Sequence, residues 1–180
     1  MDAVARDVFD FWREAGPERW FQGGPDFDAE CRERLLDAHM AASRGELEHW
    51  GEWADSAMAL VLLLDQVPRN VFRGSAHAYA TDPLACAVAT RAVGHGFDTR
   101  VDPAMRRFFY LPFTHSESPM EQQRSVELHR TMPGEEPDKW ALHHQAIIER
   151  FGRFPHRNRV LGRATTPGEQ AWLDEGGFSG

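Results

Sequence analysis

Apolar residues recur at helical spacing along most of this chain, and this periodicity constrains the fold more than any other feature. Val4, Val8 and Phe11 share one face of a first helix, which Gly16 and Pro17 should end. No long stretch alternates apolar and polar residues between turn signals, as a half-buried strand would. The sequence therefore predicts an all-helical protein.

The later helices are marked by proline and by capping residues. The most apolar helix should run from Glu52 to about Asp65 and end at Pro68, because proline lacks a backbone N–H. Three further segments place a capping residue before a proline at the first helical position; they begin at Asp82-Pro83, Asp102-Pro103 and Thr166-Pro167. With helices also expected over 117–132 and 137–151, we predict stacked antiparallel helix pairs.

Length and charge limit the class of protein. A chain of 180 residues fits a single helical domain over 1–180. The net charge of −8 disfavours a nucleic-acid partner. The apolar run from Ala57 to Leu64 is too short to cross a membrane, the first residues form no basic leader, and there are only two cysteines. We therefore expect a cytoplasmic protein that binds neither nucleic acid nor membrane; its oligomeric state is left open.

A first polar loop follows the apolar helix. It contains Asp65, Gln66, Arg69, Asn70 and Arg73. A carboxylate near the end of a helix is unfavourable unless a cation or a backbone donor compensates it. These side chains could therefore tie a tight turn to nearby carbonyl groups, or they could line a pocket.

A second loop, over residues 150–159, repeats the proline and Arg-Asn pattern. It holds four arginines and one histidine in ten residues, and its candidate site residues are Arg153, His156, Arg157 and Asn158. Like charges this close repel each other, so something must offset them. Acidic side chains of the protein and an anionic ligand are equally good candidates.

A third segment joins an aromatic run to a short polar stretch. Tyr110 precedes His115, Ser116 and Glu117, which could act as base, nucleophile and acid. The alternative is that Ser116 caps a helix with Glu117 in its first turn. His115 is less easily explained by capping.

The sequence contains no strong metal or cofactor signal. His-Glu-x-x-His, phosphate loops and dinucleotide fingerprints are missing. His143 and His144 are adjacent on a helix and point about 100° apart, so they rarely bind one ion. We expect neither a metal site nor a cofactor.

The three polar segments, taken in order, resemble a bacterial family known only as a domain of unknown function, number nine hundred and twenty-four. The resemblance rests on residues 65–74, 108–117 and 150–158 and extends from residue 8 to residue 169. Family members are grouped with tetratricopeptide-like folds, so the resemblance implies antiparallel helix pairs. It implies no activity.

We therefore hypothesise a pocket that binds a small anionic ligand or a peptide tail, with or without catalysis. Arg69, Arg153 and Arg157 would grip a carboxylate or phosphate, with Asn70 and Asn158 orienting it. Proton transfer would fall to Asp65, His115 and His156. The alternatives are a tetratricopeptide-like scaffold that binds a protein partner without chemistry, and a hydrolase or transferase that uses these acid-base residues.

Overall fold

The computed structural model describes residues 2–178, which group by their contacts into two compact units. Unit 1 runs to Arg73 and continues over His77–Pro112, and unit 2 contains Gly74–Ala76 and the described residues from Phe113 onward. Within residues 2–178 the regular structure is helical and there is no strand. The predicted all-helical class is confirmed. The tetratricopeptide-like stacking and the single domain stay predictions.

Unit 1 is built from five α-helices and a π-helical segment. The helices are α1 (Ala3–Gln22), α2 (Gly24–Ser43), α3 (Ala54–Val61), α4 (Val67–Val71) and α5 (Asp82–Gly94). The π-helix Leu62–Gln66 joins α3 to α4, and short 3-10 helices cover Glu48–Glu52, Ala76–Tyr79, Phe97–Thr99 and Arg106–Phe109. The next helix, α6 (Leu111–Thr114), leads from unit 1 into unit 2.

The predicted end of α1 at Gly16 is a kink. Gly16 has φ of 72°, which breaks the helical hydrogen-bond register, and Pro17 then favours a new first turn. The chain continues as helix to Gln22. The indole Nε1 of Trp20 donates to the carbonyl oxygen of Trp12 at 2.6 Å, which holds the two arms together.

The core of unit 1 forms around α3 and a group of aromatic rings. Every side chain of α3 from Ser56 to Val61 is buried, as expected for a helix surrounded by apolar neighbours. The ring of Trp12 lies 5.6 Å from Phe27 and 5.8 Å from Phe108. Each large buried ring contributes apolar area that stabilises this unit.

Unit 2 contains three longer helices, α7 (Pro119–Arg130), α8 (Lys139–Phe151) and α9 (Pro167–Asp174). Helices α7 and α8 pack against each other, and a small core formed by Ile147, Ile148 and Phe154 lies against Trp172. The capping residue predicted at the start of α9 is present, and it forms a capping box. Thr166 Oγ1 accepts from the Glu169 N–H at 3.3 Å, and Glu169 Oε2 accepts from the Thr166 N–H at 2.7 Å.

Three local predictions were wrong. Pro68 does not end the central helix, because the π-helix and α4 carry it to Val71. Asp102 caps only a turn, with its carboxylate accepting from the Ala104 N–H at 2.9 Å, and the regular structure within 103–110 is limited to the 3-10 helix Arg106–Phe109. Ser116 does not begin α7, which starts at Pro119. Among residues 2–178, no helix combines the length and apolar composition needed to cross a bilayer.

Candidate functional site

The helix that begins with α3 continues through Pro68 into α4. Two side chains from elsewhere in unit 1 donate hydrogen bonds in place of the backbone N–H that proline lacks. In a π-helical or α-helical register, residue 68 would donate to the carbonyl oxygen of Leu63 or Leu64. The Leu63 oxygen instead accepts from His39 Nδ1 at 2.7 Å, and the Leu64 oxygen accepts from Thr81 Oγ1 at 2.5 Å. Since a carbonyl only accepts, His39 carries its hydrogen on Nδ1. Burial lowers the pKa of His39, which favours the neutral ring.

The π-helix places the first predicted carboxylate deep inside unit 1. Asp65 is fully buried, and its Oδ2 accepts from Gln66 Nε2 at 2.5 Å. Arg69 lies one turn later, with Nη1 3.5 Å from Asp65 Oδ1 and 2.6 Å from the Asp65 carbonyl oxygen. Asn70 Nδ2 donates to the Gln66 carbonyl oxygen at 3.1 Å. The sequence reading in which these side chains tie a turn to its carbonyls therefore matches their contacts.

Arg69 is shared between two carboxylates. Its Nη1 and Nη2 donate to the two Asp82 oxygens at 2.8 Å and 3.0 Å. Burial alone would lower the pKa of Arg69, but the charges of Asp65 and Asp82 outweigh it, and the pKa is raised. The Asp82 side chain was expected to cap α5 and serves as this ion-pair partner instead.

Two further predicted residues of unit 1 also bind carboxylates of their own unit. Arg73 is exposed and makes two hydrogen bonds to Asp28, at 2.7 Å and 2.8 Å. The hydroxyl of Tyr110, fully buried, donates to Asp98 Oδ2 at 2.6 Å and accepts from Arg106 Nε at 2.6 Å.

Glu117 is the centre of a polar network in unit 2. Its oxygens accept from Arg163 Nη1 and Nη2 at 2.8 Å and 3.0 Å, and from the Phe154 N–H at 2.8 Å. Burial alone would raise the pKa of Glu117, but the hydrogen bonds from Arg163 and the Phe154 N–H outweigh it, so the pKa is lowered. The interpretation of Glu117 as a first-turn residue of a helix was wrong, because it pairs with Arg163 instead. Ser116 Oγ accepts from the Ser118 N–H at 3.2 Å.

The network extends through Asn158 to a second ion pair. Asn158 is fully buried; its Oδ1 accepts from Arg163 Nε at 3.0 Å, and its Nδ2 donates to Glu169 Oε2 at 3.3 Å. Arg153 makes two hydrogen bonds to Glu169, at 2.6 Å and 2.8 Å. These bonds from Arg153, with those from Thr166, lower the pKa of Glu169 to about 2. Of the two sequence explanations for the second loop, internal pairing therefore describes Arg153.

Four basic side chains of unit 2 form a separate group, here called the basic cluster: His115, His144, His156 and Arg157. Three of them contact the ring of Phe154. The imidazoles of His144 and His156 lie 5.6 Å and 5.7 Å from its centroid, and the guanidinium carbon of Arg157 lies 4.5 Å above it. The Arg157 residue is only 6% exposed.

The pKa of His144 is lowered by its burial and by its neighbours in the basic cluster. His144 Nδ1 donates to the Trp140 carbonyl oxygen at 2.8 Å, which leaves Nε2 as an acceptor in the neutral ring. Burial, followed by the positive charges of His115, His143 and Arg157, lowers the pKa of His144 to about 4. The ring is therefore neutral near pH 7.

The structure thus gathers the predicted residues into two sets, one in each unit. Unit 1 holds Asp65, Gln66, Arg69, Asn70, Arg73 and Tyr110. Unit 2 holds His115, Ser116, Glu117, Arg153, His156, Arg157 and Asn158. No group of three or more potential metal ligands occurs within residues 2–178.

Sequence reasoning missed several partners of these residues. His39 continues the four-residue series of Phe27, Cys31 and Leu35 on the buried face of α2, so a histidine in that series was a usable signal. Thr81 stands beside a capping position and gave no indication that it faces Leu64. No local sequence pattern identifies Arg163 as the partner of Glu117, because the two residues are 46 positions apart in the chain.

Comparison with known proteins supports a family assignment but names no activity. The family model described as "Bacterial protein of unknown function (DUF924)" matches residues 8–177. A solved structure of a protein of unknown function from Agrobacterium tumefaciens is 51% identical, with a TM-score of 0.92 over 96% of this chain and 98% of that one. No curated protein is significantly similar to the sequence.

Proposed function

The chain belongs to the bacterial family DUF924, and because that family's description names no activity, we propose one from the side chains themselves. Unit 2 binds a small anionic ligand, or the carboxylate of a peptide tail, at the basic cluster. The observation that carries this proposal is the buried guanidinium of Arg157, which lies on Phe154 with two histidine rings against the same phenyl group.

An anion is the ligand that this arrangement favours. The guanidinium of Arg157 and the imidazoles around Phe154 concentrate N–H donors in one place, and carboxylates and phosphates are the groups that a planar guanidinium binds best. Glu117 is electrostatically coupled to Arg157. A carboxylate or phosphate beside Arg157 would add two or three acceptors and would also stabilise the protonated form of His144.

The other predicted arginines are less suited to this role. Arg69, Arg73 and Arg153 each make two hydrogen bonds to one carboxylate of their own unit. A ligand would have to displace that carboxylate and leave it without its cation. We therefore assign these three side chains to stability and Arg157 to binding.

Catalysis is a further step of the same proposal. His115 and His156 belong to the basic cluster and are the side chains that we expect to transfer protons if a bound ligand reacts. Asp65 lies in unit 1 and takes no part in the proposal. A scaffold without chemistry stays the alternative, and the cytoplasmic location stays a prediction.

Titration with inorganic phosphate, followed by calorimetry and by the histidine NMR signals, tests the proposal. We expect wild type to bind and to show a shifted His144 resonance, and Arg157→Gln to weaken binding about tenfold or more. Arg159→Gln is the matched control, since it removes an exposed arginine two residues away. Equal weakening in both variants would indicate a general charge effect and would contradict the proposal.

Two further measurements make the result decisive. If Arg157→Gln fails to fold, Arg157→Lys keeps the charge and the stem but loses the planar fork, and it should still bind phosphate more weakly. A short peptide with a free carboxyl terminus, compared with its amidated form, tests the peptide-tail version. No binding of phosphate or of either peptide by wild type would leave the scaffold hypothesis.

A further inference from the structure

A surface depression in unit 2 adjoins the basic cluster, because the Phe178 ring in its wall lies 4.7 Å from the His144 ring and 5.1 Å from the His156 ring. It has a volume of about 440 Å³ and is lined by His143, Trp172, Glu175, Gly176, Gly177 and Phe178. This volume lies in the range of small-molecule sites. The lining combines two aromatic rings, an imidazole and one carboxylate.

The sequence after α9 builds this depression. Helix α9 ends at Asp174, and Gly176, with φ of 85°, turns the chain back. The Gly177 N–H donates to the Trp172 carbonyl oxygen at 3.0 Å, and a Cβ at position 177 would lie 2.5 Å from Trp172 Cδ2. Only glycine lets the backbone rest this closely on the indole. The turn then brings Phe178 next to His143.

The Phe178 and His143 rings meet nearly at a right angle, and the carboxylate of Glu175 belongs to the same lining. The Phe178 and His143 rings lie 5.8 Å apart at an interplanar angle of 74°, so they form two nearly perpendicular walls. Trp172 packs on Phe151 at 5.3 Å, which fixes the indole in place. The exposed Glu175 adds negative charge beside the apolar surfaces.

We propose that this depression binds an organic cation with a methylated ammonium group. The faces of aromatic rings carry partial negative charge and attract cations, and the attraction is strongest for cations that hold water weakly. A metal ion or a bare ammonium holds its water more strongly than a methylated ammonium does, so contact with the rings costs it more desolvation. Glu175 disfavours an anion. This site takes a ligand of opposite charge to that of the proposed anion site, and Phe178 adjoins both, since its ring contacts His144 and His156.

The test compares choline with 3,3-dimethylbutan-1-ol, its uncharged analogue of the same shape. Binding is followed through the indole N–H signal of Trp172, assigned with Trp172→Phe. We expect choline to shift this signal saturably and the neutral analogue to bind about tenfold more weakly. Equal binding of the two compounds, or no shift with choline, would overturn the proposal.

Variants separate the contributions of charge and aromatic surface. Glu175→Gln and Phe178→Leu should each weaken choline binding about threefold to tenfold while the protein stays folded. Glu149→Gln, which removes an exposed carboxylate from α8, is the control and should leave binding unchanged. A loss in Glu149→Gln equal to that in Glu175→Gln would show that only net charge matters and would contradict a specific site.

Discussion

Thr81 donates its hydroxyl hydrogen to the carbonyl oxygen of Leu64 at 2.5 Å. That oxygen would be the α-helical acceptor for residue 68, which is a proline without an N–H. Both groups are buried, so the bond compensates a polar group that water does not reach. Together with His39 on Leu63, Thr81 allows the central helix of unit 1 to continue into the π-helix that carries Asp65.

Replacing Thr81 by valine tests this compensation. Valine has nearly the same shape but no hydroxyl, so the buried Leu64 oxygen loses its donor, and we expect the free energy of unfolding to fall by about 1–3 kcal/mol. Urea unfolding followed by circular dichroism measures the change. Thr99→Val is the control, because the Thr99 hydroxyl also donates to a carbonyl oxygen but is exposed; it should change stability by less than about 0.5 kcal/mol. Equal effects in the two variants would contradict the role of Thr81.

Arg69 and Arg73 give a second matched comparison. Arg69→Gln leaves the buried Asp65 and the mostly buried Asp82 without their cation, so we expect a loss of about 3–5 kcal/mol. Arg73 is 62% exposed at its side chain and pairs with Asp28 near solvent, so Arg73→Gln should cost less than about 1 kcal/mol. Chemical unfolding of both variants measures the difference. An Arg69→Gln protein as stable as wild type would show that the guanidinium is not structural and would reopen its assignment to ligand binding.

Helical periodicity and proline capping predicted the fold class and most helix positions, because these signals are local. The starts of α5 and α9 and the approximate extents of α7 and α8 follow from such patterns, although α7 begins at Pro119 and not at Ser116. The prediction at Pro68 was wrong because its outcome depends on distant residues. A proline ends a helix unless side chains from elsewhere in the chain donate hydrogen bonds to the carbonyl oxygens that the missing N–H would have reached. His39 and Thr81 lie 24 and 17 residues from their acceptors, which no local pattern encodes.

The candidate site shows the same difference between local sequence signals and contacts between distant residues. The sequence correctly identified arginines and carboxylates that interact, but it did not identify their partners. Arg153 binds Glu169, and the same carboxylate also accepts from the Thr166 N–H at the start of α9. Pairing between such distant residues depends on how the helices pack, and this is why internal salt bridges and a ligand site looked equivalent beforehand.

Glu169 predicts how stability depends on pH in acid. Its pKa is lowered to about 2 from an ordinary value of 4.5, chiefly by the hydrogen bonds from Arg153. A lowered carboxyl pKa stabilises the folded state fully above pH 4.5, and this stabilisation disappears as the pH falls toward 2. Urea midpoints measured from pH 2 to pH 7 should therefore fall less steeply below pH 4.5 in Glu169→Gln than in wild type. Parallel curves for the two proteins would contradict the assignment.

His144 predicts a second and separate pH window. Burial, together with the charges of His115, His143 and Arg157, lowers its pKa to about 4 from an ordinary value of 6.5. The unfolded chain then takes up a proton at higher pH than the folded protein, so stability falls as the pH drops from 6.5 to 4, by roughly 2–3 kcal/mol. His144→Phe keeps a ring against Phe154 and should lose less stability in this window, whereas the control His95→Phe replaces an exposed ring of unit 1 and should behave like wild type. NMR titration of the histidine signals measures the pKa directly, and saturating phosphate should raise it if an anion binds beside Arg157. A His144 pKa near 6.5 without phosphate would show that the basic cluster is solvated, and the electrostatic argument for an anion site would fail with it.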